Sequence, residues 1–123
     1  MLKIILSFAR TRFKQNNMEE KINFQELKGR GLDALILKPS SGQMSSIVAG
    51  DEVILNTKSG VYFGLNPVGS WIWNLMKEGI SVQDIKEKAL EKYQVSPEDF
   101  ERDLIEILQS LADGGLLEIQ LPV

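Results

Sequence analysis

The sequence predicts an α+β domain in which a three-stranded antiparallel sheet precedes three helices. Short apolar segments between residues 44 and 65 are separated by glycine-containing turns, which is typical of strands in a meander. From residue 67 onward, apolar residues recur at spacings of three and four, as in amphipathic helices. A chain of 123 residues is long enough for one small domain with a modest core.

The three predicted strands are joined by tight turns. Residues 44–49 and 52–57 are the first two strands, with Gly50-Asp51 as the turn between them. Lys58-Ser59-Gly60 is predicted to be a hairpin turn between the second and third strands, because glycine adopts a positive φ without strain. Residues 61–65 are the third strand. Apolar side chains alternate along it: Val61, Phe63 and Leu65.

The first predicted helix, residues 67–77, begins at a favourable cap. Asn66 is a good N-cap, and Pro67 suits the first helical position, where its missing N–H has no intrahelical partner. Trp71 and Trp73 are separated by about 200° around a helix, so both cannot face one core. We predict that Trp71 is the core tryptophan, and that Trp73 contacts the sheet, the N-terminal extension or a partner.

The second and third helices are both predicted to begin with a capping box. Ser81 is followed by Asp84, and Ser96 by Asp99, at the spacing this motif requires. The third helix carries a long apolar stripe: Phe100, Leu104, Ile107, Leu108 and Leu111. Its other face is acidic: Glu98, Asp99, Glu101, Asp103 and Glu106 against a single Arg102.

Residues 1–42 are predicted to be an N-terminal extension, partly flexible, with an accessory strand at residues 32–37, and residues 43–121 the main domain. Met18 is an alternative start. Residues 1–30 carry seven basic and three acidic groups, whereas residues 31–123 carry seven basic and 14 acidic groups. The acidic main domain argues against a nucleic-acid partner. A short apolar tail at residues 116–121 is expected to pack back on the sheet.

Composition removes several classes of function. The chain has no Cys and no His, which excludes thiol chemistry, His-based acid–base catalysis and the common zinc sites. Its carboxylates show no catalytic or metal-binding spacing, so we predict no enzyme, no cofactor and no metal site. No apolar run approaches the roughly 20 residues that span a bilayer, and no secretory signal is evident, so a cytoplasmic location is expected.

Two features offer a functional interpretation beside a purely structural one. The acidic face of the third helix is a solvated surface or the wall of a groove for a basic peptide, and charge runs alone favour the former. The third strand, if it lies at a sheet edge, is idle or accepts an incoming extended peptide, and Gly64 would permit close backbone approach. Without further information the structural interpretation is favoured for both.

The order and spacing of several short motifs are more specific than any one of them. They are residues 51–56, residues 59–66, Gly69 with Ile72-Trp73, residues 82–85, Tyr93, Ser96-Pro97-Glu98, Asp103-Leu104, Leu108, Leu111 and Gly115-Leu116-Leu117. Together they resemble the PqqD-like family, the small chaperone of pyrroloquinoline-quinone biosynthesis and its leader-binding relatives in lasso-peptide and other ribosomal-peptide clusters. The resemblance covers about residues 44–119.

The resemblance implies a three-stranded sheet on a three-helix, winged-helix-like bundle. It implies non-catalytic binding of the leader of a ribosomally made precursor peptide by strand addition. The peptide would then be presented to a modifying enzyme, such as a radical SAM protein or a lasso-peptide leader peptidase. Separately, we expect the chain to be a monomer or homodimer. The implied peptide-binding residues are the backbone of the third strand, Val61, Tyr62, Phe63, Gly64 and Leu65, and four residues of the third helix, Asp103, Leu104, Ile107 and Leu111.

Other hypotheses remain open. A winged-helix DNA-binding regulator has a similar order of elements, although here the helix that would read DNA is acidic. The basic extension could recruit a partner or a membrane surface. The accessory strand at residues 32–37 could occupy the leader groove, in its own subunit or a neighbour, as an autoinhibitory strand.

Overall fold

The structure, a computed structural model, describes residues 22–120 and the backbone of residues 6–8. Of the predicted N-terminal extension, residues 1–5 and 9–21, with Met18 among them, lie outside the described residues. In chain order the elements are β1 (Leu6–Phe8), α1 (Phe24–Leu27), a 3-10 turn (Leu32–Ala34), β2 (Ile36–Pro39), β3 (Gln43–Val48), β4 (Asp51–Asn56), β5 (Tyr62–Leu65), α2 (Pro67–Met76), α3 (Val82–Lys92), α4 (Pro97–Asp113) and β6 (Leu117–Gln120).

The predicted meander is confirmed as β3, β4 and β5, which form an antiparallel sheet with β1 in the order β1-β5-β4-β3. The turn between β3 and β4 lies one residue earlier than predicted. Ala49 and Gly50 both have positive φ, 54° and 90°. Positive φ at both central residues of a two-residue hairpin is the type I′ geometry, whose twist matches that of the flanking strands.

Helix caps are the local feature that the sequence predicted best. Asn66 caps α2 by accepting from the amide of Gly69 at 2.9 Å. The predicted capping box of Ser81 and Asp84 is complete at the start of α3. At the start of α4 it is only half formed: Ser96 accepts from the Asp99 amide, but the Asp99 carboxylate pairs with Arg102 at 3.1 Å.

The core tryptophan of α2 is Trp73, and not Trp71 as predicted. Trp73 is 0% exposed. Trp71 is only half-buried, and its ring meets the ring of Tyr93 edge-on, with centroids 5.4 Å apart. The prediction that Trp71 is the core tryptophan was wrong because α2 packs against β2 as well as against β4 and β5. A helix covered on more than one side buries residues beyond a single stripe.

A second, two-stranded sheet joins a segment just before the main sheet to the C-terminal end of the described residues. β2 pairs antiparallel with β6, and Leu37 lies opposite Ile119. The C-terminal tail therefore packs on β2, where the sequence predicted the main sheet. The hypothesis that residues 32–37 fill the leader groove of their own subunit is wrong, because these residues divide between the 3-10 turn and β2, away from the main sheet. The alternative that they fill the groove of a neighbouring subunit stays a hypothesis.

Part of the core comes from residues that precede the main sheet. Phe24, Leu32 and Leu37 are buried in the same cluster as the apolar face of α4. Gln109 of α4 ties the start of α1 in place, because its side chain accepts from the Phe24 amide at 2.9 Å and donates to the Ile22 carbonyl at 3.0 Å. The domain boundary at residue 43 stays a prediction.

Candidate functional site

The β4–β5 hairpin determines which backbone groups of β5 point outward. The Asn56 amide donates to the Val61 carbonyl at 2.9 Å, and the Val61 amide donates to the Ser59 hydroxyl at 3.1 Å. Val61 was predicted to pair with a peptide, but both of its backbone groups are used within the hairpin.

The other predicted strand residues divide by the alternation of an antiparallel ladder. Hydrogen-bonded and non-hydrogen-bonded pairs alternate along such a ladder. Because Val61 bonds toward β4, Phe63 and Leu65 do so too, and the backbone groups of Tyr62 and Gly64 point to the opposite side. We call this outward-facing backbone of Tyr62 and Gly64 the β5 edge.

The β5 edge is shaped to accept an antiparallel strand, because β1 lies along it. The register places Leu6 opposite Leu65, Ser7 opposite Gly64 and Phe8 opposite Phe63. This pairing makes β5 an inner strand of the four-stranded sheet, so β5 accepts a strand on the side away from β4. Whether a peptide takes that place stays a prediction.

Helix α4 comes close to β5 at two places. Near the end of α4, a β-carbon on Gly114 would lie 2.5 Å from Cε1 of Phe63, so helix backbone and ring are in direct contact. About two turns earlier, Ile107 and Leu65 meet beside Gly69: Ile107 Cδ1 and Leu65 Cδ2 lie 3.2 Å and 3.3 Å from the position of a β-carbon on Gly69.

The predicted helix residues do not all reach a groove. Leu104, Ile107 and Leu111 are 0%, 1% and 0% exposed, so in this structure they are core residues. Asp103 is half-buried. Their roles in peptide binding stay predictions.

A stripe along α4 faces β5. At about 100° per residue, Gly114 shares one side of the helix with Asp103, Ile107 and Ser110, and the contact of Gly114 with Phe63 turns that side toward the strand. We call these four residues the α4 stripe. Ser110 was not among the site residues predicted from the sequence. Its spacing of seven residues from Asp103 could have indicated that it shares the same side of the helix.

The acidic residues of α4 lie on two different sides of the helix. Glu101 faces α1 and α3, where its carboxylate lies 2.6 Å from Lys86 Nζ and 3.7 Å from Lys28 Nζ. Lys86 also pairs with Asp33 at 2.6 Å. Burial alone would lower the pKa of Lys86, but the hydrogen bonds with Asp33 and Glu101 prevail and raise it above its ordinary value. Glu101 therefore stabilises the helix bundle.

The acidic wall next to β5 is formed by other residues. Asp103 belongs to the α4 stripe, and exposed Glu106 lies beside it on the helix surface.

An open pocket of about 310 Å³ lies between α3 and α4, on the side of Glu101 and away from the β5 edge. In the described part of the chain, no three His, Cys, Asp or Glu side chains are grouped to hold a metal ion. None of its helices has the length and apolarity that crossing a bilayer requires.

Comparison with known proteins agrees with this geometry. The model of the family described as coenzyme PQQ synthesis protein D (PqqD) matches residues 52–117, which include all of β4 except Asp51, and the whole of β5 and α4. A search of curated proteins gave no match.

Two solved structures have a similar fold. One is described as TbiB1 in complex with the TbiA(beta) leader peptide: identity is 38%, the TM-score is 0.61, and the match covers 66% of this chain and 94% of that one. The other is a lasso peptide synthetase B1 complexed with the leader peptide, with 25% identity, a TM-score of 0.61 and coverage of 71% and 99%. Family match, strand order and the packing of α4 on β5 agree, and the chain belongs to the PqqD family.

Proposed function

We propose that this protein binds the leader segment of a ribosomally made precursor peptide as a strand added to the β5 edge. The observation that carries the proposal is that β5 pairs with a strand on the side away from β4, at Gly64. The structure of TbiB1, 38% identical to this chain, holds a leader peptide, which supports a peptide as the ligand.

Strand addition divides affinity and specificity between two parts of the site. The backbone of Tyr62 and Gly64 supplies main-chain hydrogen bonds, which any peptide sequence can satisfy. Specificity then depends on side chains beside the edge, where the α4 stripe offers the carboxylate of Asp103 and the hydroxyl of Ser110. A leader that is disordered when free loses entropy on binding, so affinity stays modest and hand-over is easy.

The proposed role is presentation rather than catalysis. The sequence lacks His and Cys, the residues most often used for acid–base and nucleophilic chemistry near neutral pH. A leader held along β5 leaves the rest of the precursor available to a modifying enzyme, for which a radical SAM protein or a leader peptidase is our proposal. Cytoplasmic location and a monomeric or homodimeric state stay predictions.

DNA binding finds no support in the comparisons. The helix that a winged-helix regulator would insert into the major groove corresponds to α4, which carries six acidic residues and one basic residue. Phosphates would be repelled by this surface, whereas DNA-binding proteins neutralise phosphates with Lys and Arg.

A titration tests the proposed function. We expect the full chain to bind the fluorescently labelled TbiA(beta) leader with a Kd in the micromolar range or tighter, about −8 kcal/mol or better. Fluorescence anisotropy measures it, with a scrambled peptide of the same composition as the control. Equal binding of both peptides, or no saturation, would contradict the proposal. Salt-dependent binding of duplex DNA would favour the regulator instead.

A further inference from the structure

The N-terminal strand β1 occupies the edge that the proposed function assigns to the leader. β1 pairs with β5 over three residues, and Ser7 lies opposite Gly64. Gly64 is one of the two residues whose backbone points away from β4. A strand paired with β5 lies about 4.8 Å from it. A leader would therefore need the same place as β1 and the same N–H and C=O groups of Gly64. A second strand cannot pair with Gly64 while Ser7 does.

We propose that residues 6–8 are a built-in competitor of the leader, a strand that must leave the β5 edge before a leader can bind. This inference rests on the proposed function, and it assigns a regulatory role to a segment outside the region that the family model matches. The leader-binding edge is closed by the chain itself, and leader binding is an exchange of one strand for another.

The short length of β1 suits a strand that is displaced. It has three residues and offers few main-chain hydrogen bonds, each worth a net of about 1 kcal/mol. Residues 9–21 connect it to the described domain, a tether of 13 residues. A tether of this length gives an effective concentration on the order of millimolar. Weak pairing is thereby sustained, yet a leader pairing over a longer stretch of β5 would prevail.

Opposite charges favour the closed arrangement. Residues 1–17, which contain β1, carry four basic groups and no acidic ones. On the side of α4 next to β5 lie two acidic residues, Asp103 and Glu106. Attraction between these segments adds to strand pairing, and because surface charges are screened by salt, occupancy of the edge by β1 falls as ionic strength rises.

The first test is amide hydrogen exchange of the full chain and two variants. Ser7→Pro removes the N–H that pairs with Gly64, whereas Gln15→Pro places the same residue in the same segment outside β1. We expect the Gly64 amide to exchange slowly in the wild type and in Gln15→Pro, and at least about tenfold faster in Ser7→Pro. The Phe63 amide, which bonds toward β4, should stay slow in all three and reports that the sheet is intact. An unprotected Gly64 amide in the wild type would overturn the proposal.

The second test is leader affinity of the same three proteins. We expect Ser7→Pro to bind the TbiA(beta) leader about tenfold more tightly than the wild type if the closed form outnumbers the open one by about ten to one. Gln15→Pro should match the wild type. Equal affinity of Ser7→Pro and wild type would overturn the competitor role. No binding by any of the three would contradict the proposed function, and the regulatory role with it, while Gly64 exchange would still show whether β1 occupies the edge.

Discussion

Replacing Leu104 with Asp is expected to lower the free energy of unfolding by at least about 4 kcal/mol. Leu104 is 0% exposed, within the buried cluster that includes Phe100 and Leu108. The substitution removes a buried leucine side chain and places a carboxylate where no water reaches it. For a domain of this size, such a loss is a large part of total stability.

Urea denaturation measures this effect, and Glu106→Asp is the matched control. Glu106 is exposed on the same helix, so introducing Asp there should change stability by no more than about 0.5 kcal/mol. Loss of leader binding in Leu104→Asp would therefore report unfolding and not a lost contact with the peptide. A Leu104→Asp protein of native stability would contradict the placement of Leu104 in the core.

The second large effect is expected at Gly114, where Ala should lower stability by about 2 kcal/mol. Gly114 has a φ of −85°, which any residue adopts. On conformational grounds alone, Gly→Ala at such a position stabilises by roughly 0.4–1 kcal/mol. Packing reverses the sign, because the added carbon would lie 2.5 Å from the ring of Phe63.

The displaced ring belongs to β5, so the same substitution should weaken leader binding. A double-mutant cycle with Phe63→Leu separates packing from backbone effects. A smaller side chain at position 63 should absorb much of the cost of Gly114→Ala, giving a non-additive pair. Lys88→Ala, at an exposed position of α3, is the control. Higher stability of Gly114→Ala, or strict additivity with Phe63→Leu, would contradict the close contact.

Local patterns predicted the elements of this fold well. The strands of the meander and the caps at Asn66 and Ser81 depend on residues within a few positions of each other. Trp71 and Trp73 were assigned wrongly because the burial of α2 also depends on β2. That strand is held by β6, about 80 residues further along the chain. No local periodicity reveals such a pairing.

The site was predicted less completely than the fold. The predicted third strand and third helix, β5 and α4, do approach each other. The apolar stripe of α4, however, has the same sequence pattern whether it lines a groove or a core. Likewise, the division of β5 into residues bonded to β4 and the outward pair Tyr62 and Gly64 depends on hairpin register. The pairing of Ser7 with Gly64 spans 57 positions in the chain and leaves no signal in composition or spacing.

Strand addition at the β5 edge makes a direct prediction for the leader itself. A methyl group is placed on each backbone nitrogen of the TbiA(beta) leader in turn, and each peptide is titrated against the wild-type chain. Because alternate amides of an added strand face β5, we expect affinity losses of about tenfold or more at every second residue across the paired stretch, and small changes between them. Equal tolerance of methylation at all positions, or losses without a two-residue period, would contradict main-chain pairing with β5.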